Sequence, residues 1–234
     1  MKALILAGGF GKRLRPYTNE VPKPLIKVSG RPILVHQIHW LTKFGVNEIV
    51  LAVSYLKEKI FDEIGSGRKY NVRVSYVIEE EPLGTAGAIK NAECILRNEE
   101  YFFVLNGDII TNLNLNDLKS HLSDDIIGVL ALVPLPSPYG VIKVNDKTGK
   151  ILEFVEKPIL RDYWINAGVY CFRSDIFDYL PEKGDIEKTA FPRLAQEGKL
   201  VGVKFGNVLW KAIDTHKDLE EAERLIAKYI EMNP

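Results

Sequence analysis

Short apolar runs alternate with longer amphipathic ones along this chain. Lys2 to Ala7, Glu48 to Val53, Val72 to Val77 and Tyr101 to Leu105 are brief, apolar and rich in branched or aromatic residues, the pattern of buried strands. Between them, Pro32 to Phe44 carries apolar residues at helical spacing and stops at Gly45, and Thr85 to Leu96 does the same before a polar break. This alternation predicts an α/β fold with a mostly parallel sheet covered by helices on both faces. Beyond residue 125 the rhythm changes. Ile126 to Val133, Gly140 to Val144, Ile151 to Glu156 and Gly168 to Phe172 read as strands parted by turn residues such as Asp146 to Gly149, suggesting hairpins around a second ligand surface. Asp218 to Met232 reads as an amphipathic helix. No repeat, low-complexity segment or linker interrupts residues 1–234, so two lobes of one domain are expected, meeting near residue 125.

Composition narrows the partners. With 46% hydrophobic residues in 234, the chain can bury a full core. Its 31 basic and 31 acidic residues balance, so no global field favours nucleic acid or an anionic membrane, and any phosphate site must be a local cluster. Cys94 and Cys171 lie far apart with no metal-binding spacing and are expected to be buried free thiols. The apolar run Ala3 to Ala7 is too short for a signal-peptide core, and no run of ~18 apolar residues is present, so a soluble cytoplasmic protein is expected. A homo-oligomer is compatible with the sequence.

The first chemical signal follows the first strand. Leu6-Ala7-Gly8-Gly9-Phe10-Gly11-Lys12-Arg13-Leu14-Arg15-Pro16 is a glycine-rich turn carrying three cations. Glycines let backbone N–H groups approach phosphate oxygens, and Lys12, Arg13 and Arg15 can neutralise a polyphosphate. Neither GxGxxG nor GK[ST] is present, which excludes a dinucleotide fingerprint and a P-loop. Pro22-Lys23-Pro24-Leu25 follows, with prolines fixing where Lys23 points.

GGxGxRLxP followed by PKPL resembles the signature of the sugar-phosphate nucleotidylyltransferases. The resemblance continues, in the family's order, through Glu79 to Gly87 (EEEPLGTAG), Leu105-Asn106-Gly107-Asp108, Tyr139-Gly140-Val141, Phe154-Val155-Glu156-Lys157-Pro158 and Ile165-Asn166-Ala167-Gly168. It implies a Rossmann-like three-layer sandwich with a mixed sheet, a nucleotide-binding lobe over about residues 1–125 and a sugar-phosphate lobe over about residues 126–234. It also implies transfer of a nucleotidyl group from a nucleoside triphosphate to a sugar 1-phosphate with a divalent cation. By this resemblance Leu6, Ala7, Gly8, Gly9, Gly11, Lys12, Arg13, Glu79, Glu80, Gly84 and Asp108 contact the nucleotide, and Arg13, Lys23 and Asp108 are catalytic. Gly140 and Asn166 resemble sugar contacts.

The residue chemistry is consistent with these roles. A carboxylate at Asp108, ending a buried strand, suits Mg²⁺ bridging phosphate oxygens. Glu156 and Lys157 place an anion beside a cation before a rigid proline, able to hold a sugar hydroxyl and the sugar phosphate; the plainer reading is a solvated ion pair. The block EEEPLGTAG, with Leu51 to Tyr55 and Asp185-Ile186-Glu187-Lys188, looks closest to the mannose-1-phosphate guanylyltransferases. A carboxylate at Glu79 or Glu80 can accept from guanine's N1–H and amine, whereas uracil or thymine offers one donor and a repelled carbonyl. A heptose-1-phosphate guanylyltransferase and a glucose-1-phosphate enzyme using UTP or dTTP remain alternatives.

One departure stands out. The family's Trp-x-Asp-x-Gly is here Trp210-Lys211-Ala212-Ile213-Asp214-Thr215, and Ala212 cannot ligate metal. Either Asp214 replaces the missing ligand, from a strand continuing to that residue, or it caps the helix near His216. The gap also leaves room for a catalytically silent relative that binds nucleotide sugar. His36 and His39, one helical turn apart, lack a third ligand and read as helix surface.

Overall fold

The computed structural model describes residues 1–232, with side chains through residue 229. In chain order the elements are β1 (Lys2–Leu6), β2 (Lys27–Val28), β3 (Arg31–Pro32), α1 (Ile33–Thr42), β4 (Glu48–Val53), α2 (Lys57–Ile64), β5 (Arg73–Ile78), α3 (Gly84–Asn91), α4 (Glu93–Leu96) and β6 (Tyr101–Asn106). They continue with β7 (Ile109–Thr111), α5 (Leu115–Lys119), β8 (Gly128–Pro136), β9 (Val141–Val144), β10 (Ile151–Val155), β11 (Ile159–Arg173), α6 (Ala190–Gln196), β12 (Leu200–Lys204), β13 (Trp210–Ala212) and α7 (His216–Met232).

Seven strands form one sheet in the order β12-β8-β11-β6-β1-β4-β5. All its neighbouring pairs are parallel except those of β11, which runs antiparallel to both β6 and β8. The near-continuous apolar character of β1, β4 and β6 follows from this arrangement, since each is covered on both faces. One face packs Leu34 and Ile38 of α1, Ile60 of α2 and Leu115 of α5. The other packs Ala86 and Ile89 of α3, Leu96 of α4 and Leu194 of α6. The mostly parallel sheet covered on both faces, expected from the pattern, and the mixed three-layer sandwich implied by the resemblance are both found.

The chain leaves β1 towards β4 on one side, and β6 later pairs on the other, so the loops after β1 and β6 flank a change in winding direction. Ligands of open α/β sheets gather at such a point. A third apolar cluster, with Leu14, Val28, Ile33, Ile110, Ile213 and Ala222, secures these loops against the β7–β13 ladder and α7.

Several elements differ from expectation. β8, β11 and β12 extend the main sheet, and of the strands described beyond residue 125 only β9 and β10 pair with each other as a separate hairpin, turning through 145–150. The helix expected over Thr85 to Leu96 is broken at Ala92, whose ψ of 3° is not helical. Cys171 is buried in the core, but Cys94 is exposed, which corrects the expectation for that thiol. Ala92 and Leu96 both turn inward, and Cys94, roughly half a helical turn from each, faces outward. Finally, β13 stops at Ala212, so Asp214 is not in phase with Ala212 on one strand face.

Candidate functional site

The glycine turn and the Asn106-Gly107-Asp108 turn leave the sheet side by side because Leu6 and Asn106 are register partners. Gly107 N–H donates to Leu6 O at 3.0 Å, and a Cβ on Gly107 would lie 2.5 Å from that oxygen. Only glycine lets the turns approach this closely. Gly11, at φ +58°, has Lys23 Cβ 3.2 Å from where its own Cβ would stand, so the first turn packs directly on the Pro22-Lys23-Pro24 segment.

Lys23 is the buried cation at the centre. Its Nζ donates to Asp108 Oδ2 at 2.5 Å and to Asp214 Oδ1 at 2.8 Å. Arg13 Nη2 reaches the same Asp214 oxygen at 2.8 Å from an exposed position, anchored through buried Leu14. Arg13, Lys23, Asp108 and Asp214 thus form one charge cluster, with two carboxylates on the Lys23 ammonium and Arg13 sharing the Asp214 oxygen. Ile213 N–H donates to Asp108 O at 2.9 Å, tying the two carboxylate-bearing segments together through the backbone.

Helix capping at α7 falls to other residues. Thr215 Oγ1 accepts from Asp218 N–H, while Asp218 Oδ2 accepts from Thr215 N–H and Asp214 N–H. This reciprocal box satisfies the first turn and leaves the Asp214 side chain pointing at Lys23. The capping role considered for Asp214 is therefore corrected.

Among the described residues no group of three or more His, Cys, Asp or Glu converges to hold a metal. Two carboxylates do converge, on a cationic atom. Such a pair of oxygen donors fits a hard divalent cation, which takes its remaining ligands from water and phosphate. His36 bonds Val28 O and His39 pairs with Arg31, so neither stands free as a ligand.

Arg13, Lys23, Asp108 and Asp214 line a cleft of 460 Å³ that also takes in Leu6, Gly8, Gly9, Gly11, Lys12, Glu79 and Gly84. Ala7 and Glu80 do not line it. Glu79 is buried, whereas Glu80 is exposed, which separates the two carboxylates considered for the base. Burial pushes the Glu79 carboxyl above its ordinary value, partly offset by the N–H of Leu83 on Oε2. A Cβ on Gly8 would come 2.9 Å from Glu79 Oε1, so the carboxylate sits against the glycine turn.

The four sugar-phosphate candidates lie outside this lining. A Cβ on Gly140 would be 3.0 Å from Glu156 Oε2, and Lys157 Nζ stands 3.1 Å from Glu156 Oε1, so these three cluster at one end of the β9–β10 hairpin. Both charged side chains are exposed, 52% and 60%, and their ion pair adds little stability. Asn166 accepts from Gly168 N–H and donates to Tyr170 Oη. Gly168, at φ +68°, backs onto the Asn106 side chain, which carries this segment to the floor of the cleft.

Asp185 and Thr85 also line the cleft and were not singled out as site residues by sequence reasoning. Gly84 and Gly87 bring them there: a Cβ on either would lie 2.5 Å from a backbone oxygen of the 182–184 loop. Two glycines three apart on one helix face were the available signal of a close backbone approach.

The chain is 42% identical over 226 residues to mannose-1-phosphate guanyltransferase beta-A of Xenopus laevis. It is 41% identical over 225 residues to the mannose-1-phosphate guanylyltransferase catalytic subunit beta of Dictyostelium discoideum. Each alignment covers 93% of this chain and spans only 62% of the relative's length. Among solved structures, HddC from Yersinia pseudotuberculosis complexed with GMP-PN is 30% identical with a TM-score of 0.72, covering 96% of this chain and 99% of that one. No helix among the described residues is long and apolar enough to cross a membrane. The nucleotidyl transferase family model matches residues 2–229, and the chain belongs to that family.

Proposed function

We propose that this chain transfers a guanylyl group from GTP to mannose 1-phosphate, giving GDP-mannose and pyrophosphate, as a cytoplasmic enzyme. The observation that carries the reading is the convergence of Asp108, Asp214 and Arg13 around Lys23 in a cleft bordered by the glycine turn. The names of the two aligned relatives support the choice of base and sugar.

In this reading an oxygen of the sugar phosphate attacks the α-phosphorus in line. The new P–O bond forms as the bond to the bridging oxygen breaks, and pyrophosphate carries away the electron pair. The backbone of Gly8 to Gly11 cradles the phosphates. Lys23 and Arg13, which pair with the Asp108 and Asp214 carboxylates, direct their charge to the phosphate oxygens. Asp108 and Asp214 would hold Mg²⁺, which supplies charge neutralisation and orientation at the phosphates. Glu79 accepts from guanine's N1–H and amine, and Gly140, Glu156, Lys157 and Asn166 serve the sugar phosphate. Asp214 takes the place left by Ala212, which disfavours a silent relative.

Pyrophosphate release measured across GTP, ATP, UTP and dTTP against several sugar 1-phosphates tests the proposal. The highest kcat/KM is expected for GTP with mannose 1-phosphate. A preference for UTP or dTTP would refute the choice of base, and no release from any pair would refute the activity.

A further inference from the structure

Gln37 is a buried polar residue on a helix face that otherwise presents Leu34, Ile38 and Leu41 to the core. Its amide Nε2 donates to Asn106 O at 2.8 Å and to Ile109 O at 2.9 Å. These carbonyls bracket Gly107 and Asp108, so one side chain clamps both ends of the turn that presents the carboxylate. Within the bracket, Gly107 N–H is bonded to Leu6 O and Asp108 O to Ile213 N–H. Ile213 immediately precedes Asp214, and Ile109 pairs with Ala212 in the β7–β13 ladder. A shift of the turn would therefore change the relation between the two carboxylates as well as the aim of Asp108.

We propose that Gln37, which does not line the cleft, is a positioning residue that holds Asp108 and Asp214 at the spacing a divalent cation requires. The proposal rests on the nucleotidyl-transfer reading. The physical reason is satisfaction of the backbone. Without the two N–H donors, the Asn106 and Ile109 carbonyls would be left unpaired at a buried site, and the turn would open to regain partners. Groups that orient ligands in this way typically change metal affinity without touching the ion.

The test uses the full chain with a non-hydrolysable GTP analogue and follows Mn²⁺ binding by electron paramagnetic resonance. Four proteins are compared: wild type, Gln37→Met, Gln37→Asn and Leu194→Ala, the last a core variant in α6 away from the cleft. Gln37→Met keeps the apolar bulk and removes both donors, and Gln37→Asn leaves an amide one methylene short. Each is expected to weaken cation binding about tenfold or more. Leu194→Ala, although destabilised, should bind Mn²⁺ like wild type. Should Gln37→Met fail to fold, Gln37→Asn carries the comparison. Wild-type affinity in a folded Gln37 variant would overturn the positioning role while leaving the functional reading standing. Absence of binding in wild type would overturn both.

Discussion

Asp214 Oδ1 and Lys23 Nζ lie 2.8 Å apart although 191 positions separate them in the chain. The contact depends on β13 ending at Ala212, on Ile213 N–H holding Asp108 O, and on Thr215 and Asp218 taking over the helix cap. Asp214→Asn should therefore abolish metal-dependent turnover with little change in melting temperature. Thr215→Ala should instead lower stability by about 1 kcal/mol, the usual scale of a lost cap. Activity assays and thermal melts on both variants check the division of labour; full activity in Asp214→Asn would leave Asp108 as the protein's only carboxylate on the cation.

Asp108→Asn should eliminate pyrophosphate release and leave the fold intact. The backbone of this turn is held by Leu6, Gln37 and Ile213, none of which needs the Asp108 carboxylate. Circular dichroism beside the activity assay separates loss of chemistry from loss of structure.

Lys23→Met and Arg13→Leu should each reduce kcat by at least ~100-fold, the scale of one lost charge-stabilising donor. Lys23 is mostly buried and Arg13 mostly exposed, at 11% and 70% side-chain exposure, so Lys23→Met should also disturb stability by leaving Asp108 without its partner. A rise in KM with kcat unchanged would make either residue a binding group only.

That the glycine turn, Lys23 and Asp108 belong to one candidate site was legible in the sequence, from glycines and cations followed by a strand-end carboxylate and from the family resemblance, and they line one cleft. The strands and helices of the first half were legible from their periodicity. Asp214 was legible as a candidate but not in its geometry, because the strand-face argument assumed a strand that stops two residues earlier. The join of β8, β11 and β12 to the main sheet was hidden because short apolar runs do not encode their partners. Gln37 escaped notice, and Asp185 was read only as part of a family block and not as a cleft residue, because their places arise from contacts some 70 to 100 positions away. A lone glutamine in an apolar helix carries no local signal.

Glu79→Gln should reduce the preference for GTP over UTP by about 1–3 kcal/mol, through loss of one good acceptor and of the repulsion against a carbonyl. It should also raise stability at neutral pH. Burial raises the folded-state pKa of Glu79, so its favourable contribution is complete below its ordinary value of 4.5 and is lost as pH rises through the folded value. The stability advantage of the glutamine variant should accordingly disappear on acidification below that ordinary value. In the wild type, GTP preference should weaken at a higher pH than an ordinary glutamate would titrate. Competition kinetics and melts over pH check both, and Glu80→Gln should behave like wild type.

The proposed guanylyl transfer is checked by incubating the chain with GTP labelled at the α-phosphorus, mannose 1-phosphate and Mg²⁺. The label is expected in GDP-mannose with the pyrophosphate unlabelled, and Asp108→Asn and Asp214→Asn are each expected to abolish the transfer. Label remaining in GTP, or appearing in free GMP with mannose 1-phosphate unchanged, would contradict it.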